Sequence, residues 1–239
     1  DAMMTLAPGA WELNQAMLTM WNPKAYSNDW VLPDNFHVHV KVMTRVKQTV
    51  NFLNEPFDTF HNENLPKESG RSLGANMVHS IDGMIVREMT RRCNYNQAKV
   101  NRVRWIVMAG VTAPIIEDNN TKMVRVLWEH YIKTGYLSAR ILDHVHDYNI
   151  SLIDSEPLLE LINSLPEKPF QIMSIHDCFR CLPNYANDMR KQYTLQLELI
   201  AKSEMLSNIV SQIVGRDLHV GKLDPDLHKD VATSNYALS

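Results

Sequence analysis

The stretch FQIMSIHDCF, residues 170–179, limits what this chain can fold into more than any other. Phe170, Ile172, Met173 and Ile175 form an apolar run that reads as a buried strand. The run breaks at His176-Asp177, and Cys178 and Phe179 resume it. A carboxylate left unpaired inside a buried strand is costly or titrates to its neutral form. Asp177 therefore either lies wet in a tight turn or is there to hold something positive.

The rest of the chain alternates between two periods. Residues 10–21 have apolar positions at helical spacing, and Pro23 stops that helix. Pro33-Asp34-Asn35 is a turn, after which Phe36, Val38, Val40 and Val42 alternate with His37, His39 and Lys41 as a strand with one apolar and one partly basic face. A second strand-like run, QTVNFL, leads into an expected polar loop over 54–72. From Ala75 to about Cys93 the pattern is helical, with Met77, Val78, Ile81, Met84, Ile85 and Met89 as its apolar stripe. Residues 96–165 read as mostly helical, with breaks near Pro114–Asn120, at Gly135 and around Asn149–Pro157. One long amphipathic helix is expected over 184–214, ending at Gly215, and then a loop-like tail.

Composition narrows the class. The chain is 239 residues long, 45% hydrophobic and 21% charged, which describes an ordinary globular protein of one large domain or two small ones. No apolar run approaches the roughly 18 residues of a membrane span, so no membrane is expected. A net charge of −3 confines any nucleic-acid site to a local patch. Three cysteines are too few for a disulfide scaffold. Cys178 and Cys181 form a C-x-x-C without a second Cys/His pair at zinc spacing, so they read as ordinary buried thiols of a reducing compartment. A second His-Asp pair, His146-Asp147, lacks a flanking strand pattern and reads as a solvated helix end.

Taken in order, Asn76, Val78, His79, Ser80 and Asp82 in GANMVHSIDG, then His176, Asp177, Cys178 and Phe179, then a long helix and the ending Tyr236–Ser239, resemble the C-terminal half of single-subunit DNA-dependent RNA polymerases. These are the bacteriophage and mitochondrial enzymes with a right-hand fold. WVLPDNFHVHV (30–40) looks like that family's Trp-Val-x-Pro-Asp-Gly entry into its promoter-reading hairpin. The resemblance covers residues 28–93 and 170–239. The pair VHSIDG and IHDCF also differs from the related DNA polymerases, whose motif C usually reads His-Asp-Glu.

The resemblance implies an α+β fold, a palm-and-fingers portion that is mostly helical with a small antiparallel sheet carrying the catalytic hairpin. Residues 1–27 would be a fingers helix and 28–72 the promoter-hairpin-like region. Residues 73–95 would be a palm helix, 96–169 a helical insertion, and 170–239 the motif C hairpin, long helix and C-terminal foot. It implies template-directed nucleotidyl transfer from NTPs by a two-metal mechanism, with Mg2+ as cofactor. Asp177 would be the metal-binding catalytic carboxylate with His176 beside it. Magnesium takes one or two carboxylates plus phosphate oxygens and water, so one Asp per motif is the expected ligand density. His79, Asp82, Asn51 and Arg87 would contact nucleic acid. Apart from the resemblance, the basic cluster Arg87, Arg91, Arg92, Lys99, Arg102 and Arg104 reads either as a phosphate-contacting face or, since Glu88 interrupts it, as a solvated helix face.

The departures carry equal weight. The family's motif A Asp is absent from this sequence, and so is the basic helix of motif B. MMTLAPG (3–9) has Pro8 where motif B has Tyr, and no Lys before it. The expected partners are therefore DNA template, RNA product, NTPs and a second polypeptide carrying motifs A and B, as in the heterodimeric RNA polymerases of some lytic phages. A start at Asp1 rather than Met fits a divided or shortened chain. The expected location is cytoplasmic, in the infected host for a phage protein. Two alternatives stand beside this one: a non-catalytic nucleic-acid-binding subunit of polymerase fold, and a His-Asp metal phosphohydrolase.

Overall fold

The computed structural model describes residues 2–70, 72–111 and 113–234. The expected C-terminal foot, Tyr236–Ser239, lies outside them. The fold is α+β: nine helices and six strands are described, and the strands form three separate antiparallel pairs rather than one sheet.

Helices α1 (Ala2–Leu6) and α2 (Pro8–Thr19) open the chain. Pro8 sits in the first turn of α2, where its fixed φ suits a helix and its missing N–H is no loss. Strands β1 (Ser27–Val31) and β2 (His37–Lys41) form the first hairpin around the Pro33-Asp34-Asn35 turn. Trp30 and Leu32 enter the core, and the side-chain amide of Gln212 binds both the N–H and the carbonyl of Val31, at 2.8 and 3.0 Å. Strands β3 (Met43–Phe52) and β4 (Glu55–Asn64) form a ten-residue ribbon. β4 occupies much of the expected polar loop. Its sequence is polar because almost every β4 residue faces water, Thr59 alone being half-buried, and pairing with β3 supplies the hydrogen bonds that a loop would have lacked.

Helix α3 (Ser72–Cys93) buries Met77, Met84, Ile85 and Met89 as the periodicity requires, but Val78 lies off the stripe and is 55% exposed. The next region contains α4 (Gln97–Met108), α5 (Asn119–Thr134) and α6 (Ser155–Ser164), with short 3-10 turns at Ala139–Asp143 and Ile150–Leu152. Side chains cap α4 and α5: Asn96 accepts from the Lys99 N–H at 3.0 Å and Asp118 from the Thr121 N–H at 2.6 Å. Gly135 ends α5 at φ 70°, a left-handed position that favours glycine. This region has a core of its own, built on Val103, Ile106, Leu127, Ile141 and Leu158.

Strands β5 (Met173–Ile175) and β6 (Cys178–Arg180) follow. The expected buried strand shrinks to three residues, and all three are exposed; only Phe170 of the apolar run is fully buried. The expected single long helix is two, α7 (Ala186–Lys202) and α8 (Met205–Val214). Ser203 breaks it: its hydroxyl donates to the Ile200 carbonyl at 2.8 Å and accepts from the Met205 N–H, diverting the helical ladder. The Glu204 N–H leaves the ladder altogether and binds the Thr134 carbonyl at the end of α5, at 2.7 Å. The tail is not all loop, since α9 (Leu227–Thr233) packs on α7. Among the described residues no helix is long and apolar enough to cross a membrane.

Candidate active site

His176 and Asp177 are the two connecting residues of the β5–β6 hairpin, between the paired Ile175 and Cys178. A two-residue connection forces unusual backbone angles, and His176 takes φ 55°. For a residue with a Cβ that conformation costs on the order of 1 kcal/mol or more and persists only where the surroundings over-determine it. Here the surroundings are aromatic. Phe179 turns inward and meets the Tyr193 ring edge-on at 5.7 Å. Phe170, ahead of β5, stacks flat on Tyr185 at 4.6 Å, and its N–H donates to the Cys93 carbonyl at 2.7 Å. The hairpin thus rests on Ile85, Met89 and Cys93 of α3 and on the first turns of α7. Burial pushes the Cys93 thiol up to about 12, so it is a neutral core group.

With its base held, the tip projects into solvent, and the Asp177 side chain is exposed. The other His-Asp pair lies elsewhere: Asp147 is tied to Arg102 at 2.7 Å, just beyond a 3-10 turn. Tyr193 links the hairpin to α3. Burial raises its phenol first, and the negative charges of Asp82 and Asp177 raise it further. The carboxylates of α3 and of the hairpin tip therefore act on one hydroxyl from two elements. His79 stands three residues before Asp82, on the same side of α3, and is exposed. It lines an apolar groove of about 300 Å3 with Leu13, Met17 and Val78. Between them Ser80 is structural: it accepts from the Trp30 indole N–H at 3.1 Å and donates to the Met77 carbonyl at 2.7 Å.

Not every expected site residue joins this group. Arg87 faces the other way, its Nε and Nη2 donating to Asp34 at 2.6 and 3.2 Å and its guanidinium lying 4.0 Å over the Phe36 ring. Arg91 also donates to Asp34, and Arg92 is buried against Gln192 and Ser164. Lys99 and Arg102 are paired with Asp143 and Asp147. Five of the six cations expected to meet phosphate are thus already engaged. Asn51 is exposed near the tip of the β3–β4 ribbon and shares no core cluster with the hairpin. Sequence reasoning missed Tyr193, a residue on α7 that nothing in the local pattern distinguishes. It also missed Asp34 as an ion-pair centre, although Arg87 and Arg91, four apart beside a buried stripe, already called for a counter-charge.

As a cation site the hairpin fits a sparse arrangement. Among the described residues no three His, Cys, Asp or Glu side chains gather as a ligand set. A single exposed carboxylate can serve Mg2+ where phosphate and water supply the remaining oxygens. No protein-family model matches this chain, and no curated protein is significantly similar to it.

Proposed function

We propose that this chain is the motif C-bearing catalytic part of a single-subunit-type DNA-dependent RNA polymerase, acting with a second segment or polypeptide that supplies the other metal carboxylate and the nucleotide-binding Lys. One observation carries this reading: His176-Asp177 forms the tip of an antiparallel hairpin seated on the helix that bears His79-Ser80-Ile81-Asp82. That is the order and arrangement the polymerase resemblance calls for. A hairpin, rather than a helix, under His-Asp also separates this reading from the all-helical phosphohydrolases.

In the reaction the 3′-hydroxyl of the RNA attacks the α-phosphorus of an NTP, its proton passing to water. A new P–O bond forms, the bond to the β-phosphate oxygen breaks, and pyrophosphate leaves. Bound Mg2+ would supply activation of that hydroxyl and charge neutralisation at the leaving group. Asp177 would be the chain's own ligand for it, carried at the tip of a hairpin whose base is anchored on α3 and α7. His79, exposed on the same helix face as Asp82, is placed to meet the 3′ end of the RNA.

Asp177→Asn tests the assignment, measured in the assembled enzyme on a primed template with NTPs and Mg2+. Extension is expected to vanish while the unfolding midpoint and DNA affinity stay at wild-type values. Near-normal extension by the variant overturns the proposal.

A further inference from the structure

Arg92 on α3 is 1% exposed, yet its hydrogen bonds go only to neutral groups. Its Nε donates to the Gln192 amide oxygen at 2.8 Å and its Nη2 to the Ser164 hydroxyl. Its Nη1 is buried and has no hydrogen-bond partner among the described residues. Gln196 stands one turn beyond Gln192 on the same face of α7 and is fully buried. Its amide oxygen accepts from the Tyr136 hydroxyl, and its Nε2 is a second buried donor without a partner among the described residues. Tyr136 ties the two together, because after burial it is the strongest electrostatic influence on Arg92. Both orphaned donors therefore belong to one buried layer between α3, α7 and the segment that follows α5.

The charges of this layer do not close. A guanidinium stays protonated at neutral pH, and burying one without an anion is costly. Burial lowers the Arg92 pKa, and the opposing influences of Tyr136, Glu88 and Cys93 do not offset it. Burial also keeps that phenol and that thiol neutral. Glu88 is already taken by Arg91, Ser138 and Ala139, and Asp34 by Arg87 and Arg91. The guanidiniums of Arg87, Arg91 and Arg92 thus meet only the carboxylates of Asp34 and Glu88. The missing group must accept from two N–H donors, carry negative charge and fit inside the core. Phosphate or a polyanion would need the access that burial denies, and a water would leave the charge uncompensated. We propose that a chloride ion binds between Arg92 Nη1 and Gln196 Nε2. It fastens α3, which carries His79 and Asp82, to α7, on which the hairpin rests, and its binding does not depend on the polymerase reading.

Urea unfolding of the full chain is the test, with sodium chloride exchanged for sodium gluconate at constant ionic strength. Above the dissociation constant of the ion, the unfolding equilibrium constant should fall about tenfold for each tenfold rise in chloride, as one ion bound to the folded state alone requires. Bromide should replace chloride, and in a bromide-soaked crystal its anomalous scattering should lie between the two nitrogens. Gln196→Glu puts a carboxylate oxygen where Nε2 stands, so it should abolish the chloride dependence by supplying the negative charge itself. Stability indifferent to chloride at constant ionic strength overturns the proposal, as does a chloride dependence that Gln196→Glu leaves intact. So does a water molecule, rather than bromide, between the nitrogens in the soaked crystal. The wild-type titration and the crystal decide the matter even if the variant does not fold.

Discussion

Asp34 and Asp177 each sit in the turn of a hairpin, beside a residue of positive φ, Asn35 at 56° and His176 at 55°. Their surroundings are opposite. Asp34 is fully buried and takes Arg87 and Arg91 on its carboxylate, while its carbonyl accepts from Arg140 at 2.9 Å. Glu88, also fully buried, accepts from Arg91 at 2.6 Å, from the Ser138 hydroxyl at 2.5 Å and from the Ala139 N–H at 2.9 Å. Two carboxylates against two guanidiniums close the charge, and together they pin the β1–β2 turn and the 138–140 segment to α3. Asp177 has no cation beside it among the described residues. A turn aspartate is thus structural or available according to what covers it, and residue type alone does not decide which.

The largest expected difference lies between the two Asp→Asn variants. Removing one member of a buried ion-pair network leaves uncompensated charge and costs about 3–5 kcal/mol. Asp34→Asn should therefore lower unfolding free energy by that order, read by denaturant titration. Asp177→Asn should stay within about 0.5 kcal/mol of wild type, as exposed substitutions do. Equal losses would erase the distinction between the turns.

Acid sharpens the same comparison. Burial by itself raises the Asp34 carboxyl, but hydrogen bonds and charge from Arg87 and Arg91 outweigh it and hold the group below the ordinary 3.8. A carboxyl depressed in the folded state contributes stability that is present above its unfolded pKa and lost as pH falls through the folded one. Wild-type stability should therefore fall below pH 3.8 more steeply than that of Asp34→Asn, checked by urea unfolding at successive pH values. Parallel profiles would show that Asp34 is not the linked group.

These two turns also mark how far the sequence could be read. Periodicity located α2 and α3 because their apolar positions repeat along one element, while α4 and α5 were legible only as helical stretches bounded by the breaks at Pro114–Asn120 and Gly135. The Asp177 turn was legible because its apolar flanks made a carboxylate conspicuous. Asp34 was legible only as a turn, since its partners lie more than fifty residues away and burial is a tertiary property. The same limit hid β4, whose strand character comes from pairing with β3, and the break at Ser203, whose cause includes the distant Thr134 carbonyl. Of the candidate site, His176, Asp177, His79 and Asp82 could be named in advance. Tyr193 could not, because its meaning lies in what α3 and the hairpin bring to it.

The cysteines probe the hairpin from outside and beneath. Cys178 adjoins Asp177 and is exposed, Cys181 is half-buried with its thiol pushed up by burial, and Cys93 is buried with its thiol near 12. The thiolate is the reactive species, so an aromatic disulfide reagent at pH 8 should modify Cys178 first, Cys181 more slowly and Cys93 only on unfolding. Cys178→Ser should remove the fast phase alone. A fast Cys93 would mean that the packing of Phe170 and Met89 under the hairpin opens readily, and Asp177 would lose its rigid support.

The smallest effect belongs to the β3–β4 ribbon, where charges are paired but wet. Lys47 meets Asp58 at 2.7 Å with both side chains about half exposed, and Thr49 donates to the same carboxylate at 2.9 Å. Exposed pairs contribute about 0–1 kcal/mol and weaken with salt. Lys47→Ala should therefore change unfolding free energy by less than about 1 kcal/mol, with the difference shrinking at high salt. Set against Arg91, which is clamped between two fully buried carboxylates, the same kind of truncation measures what burial adds to an ion pair. A loss at Lys47 as large as that at Asp34 would mean the ribbon is held by something other than its own two strands, and its exposure would need a covering partner to explain it.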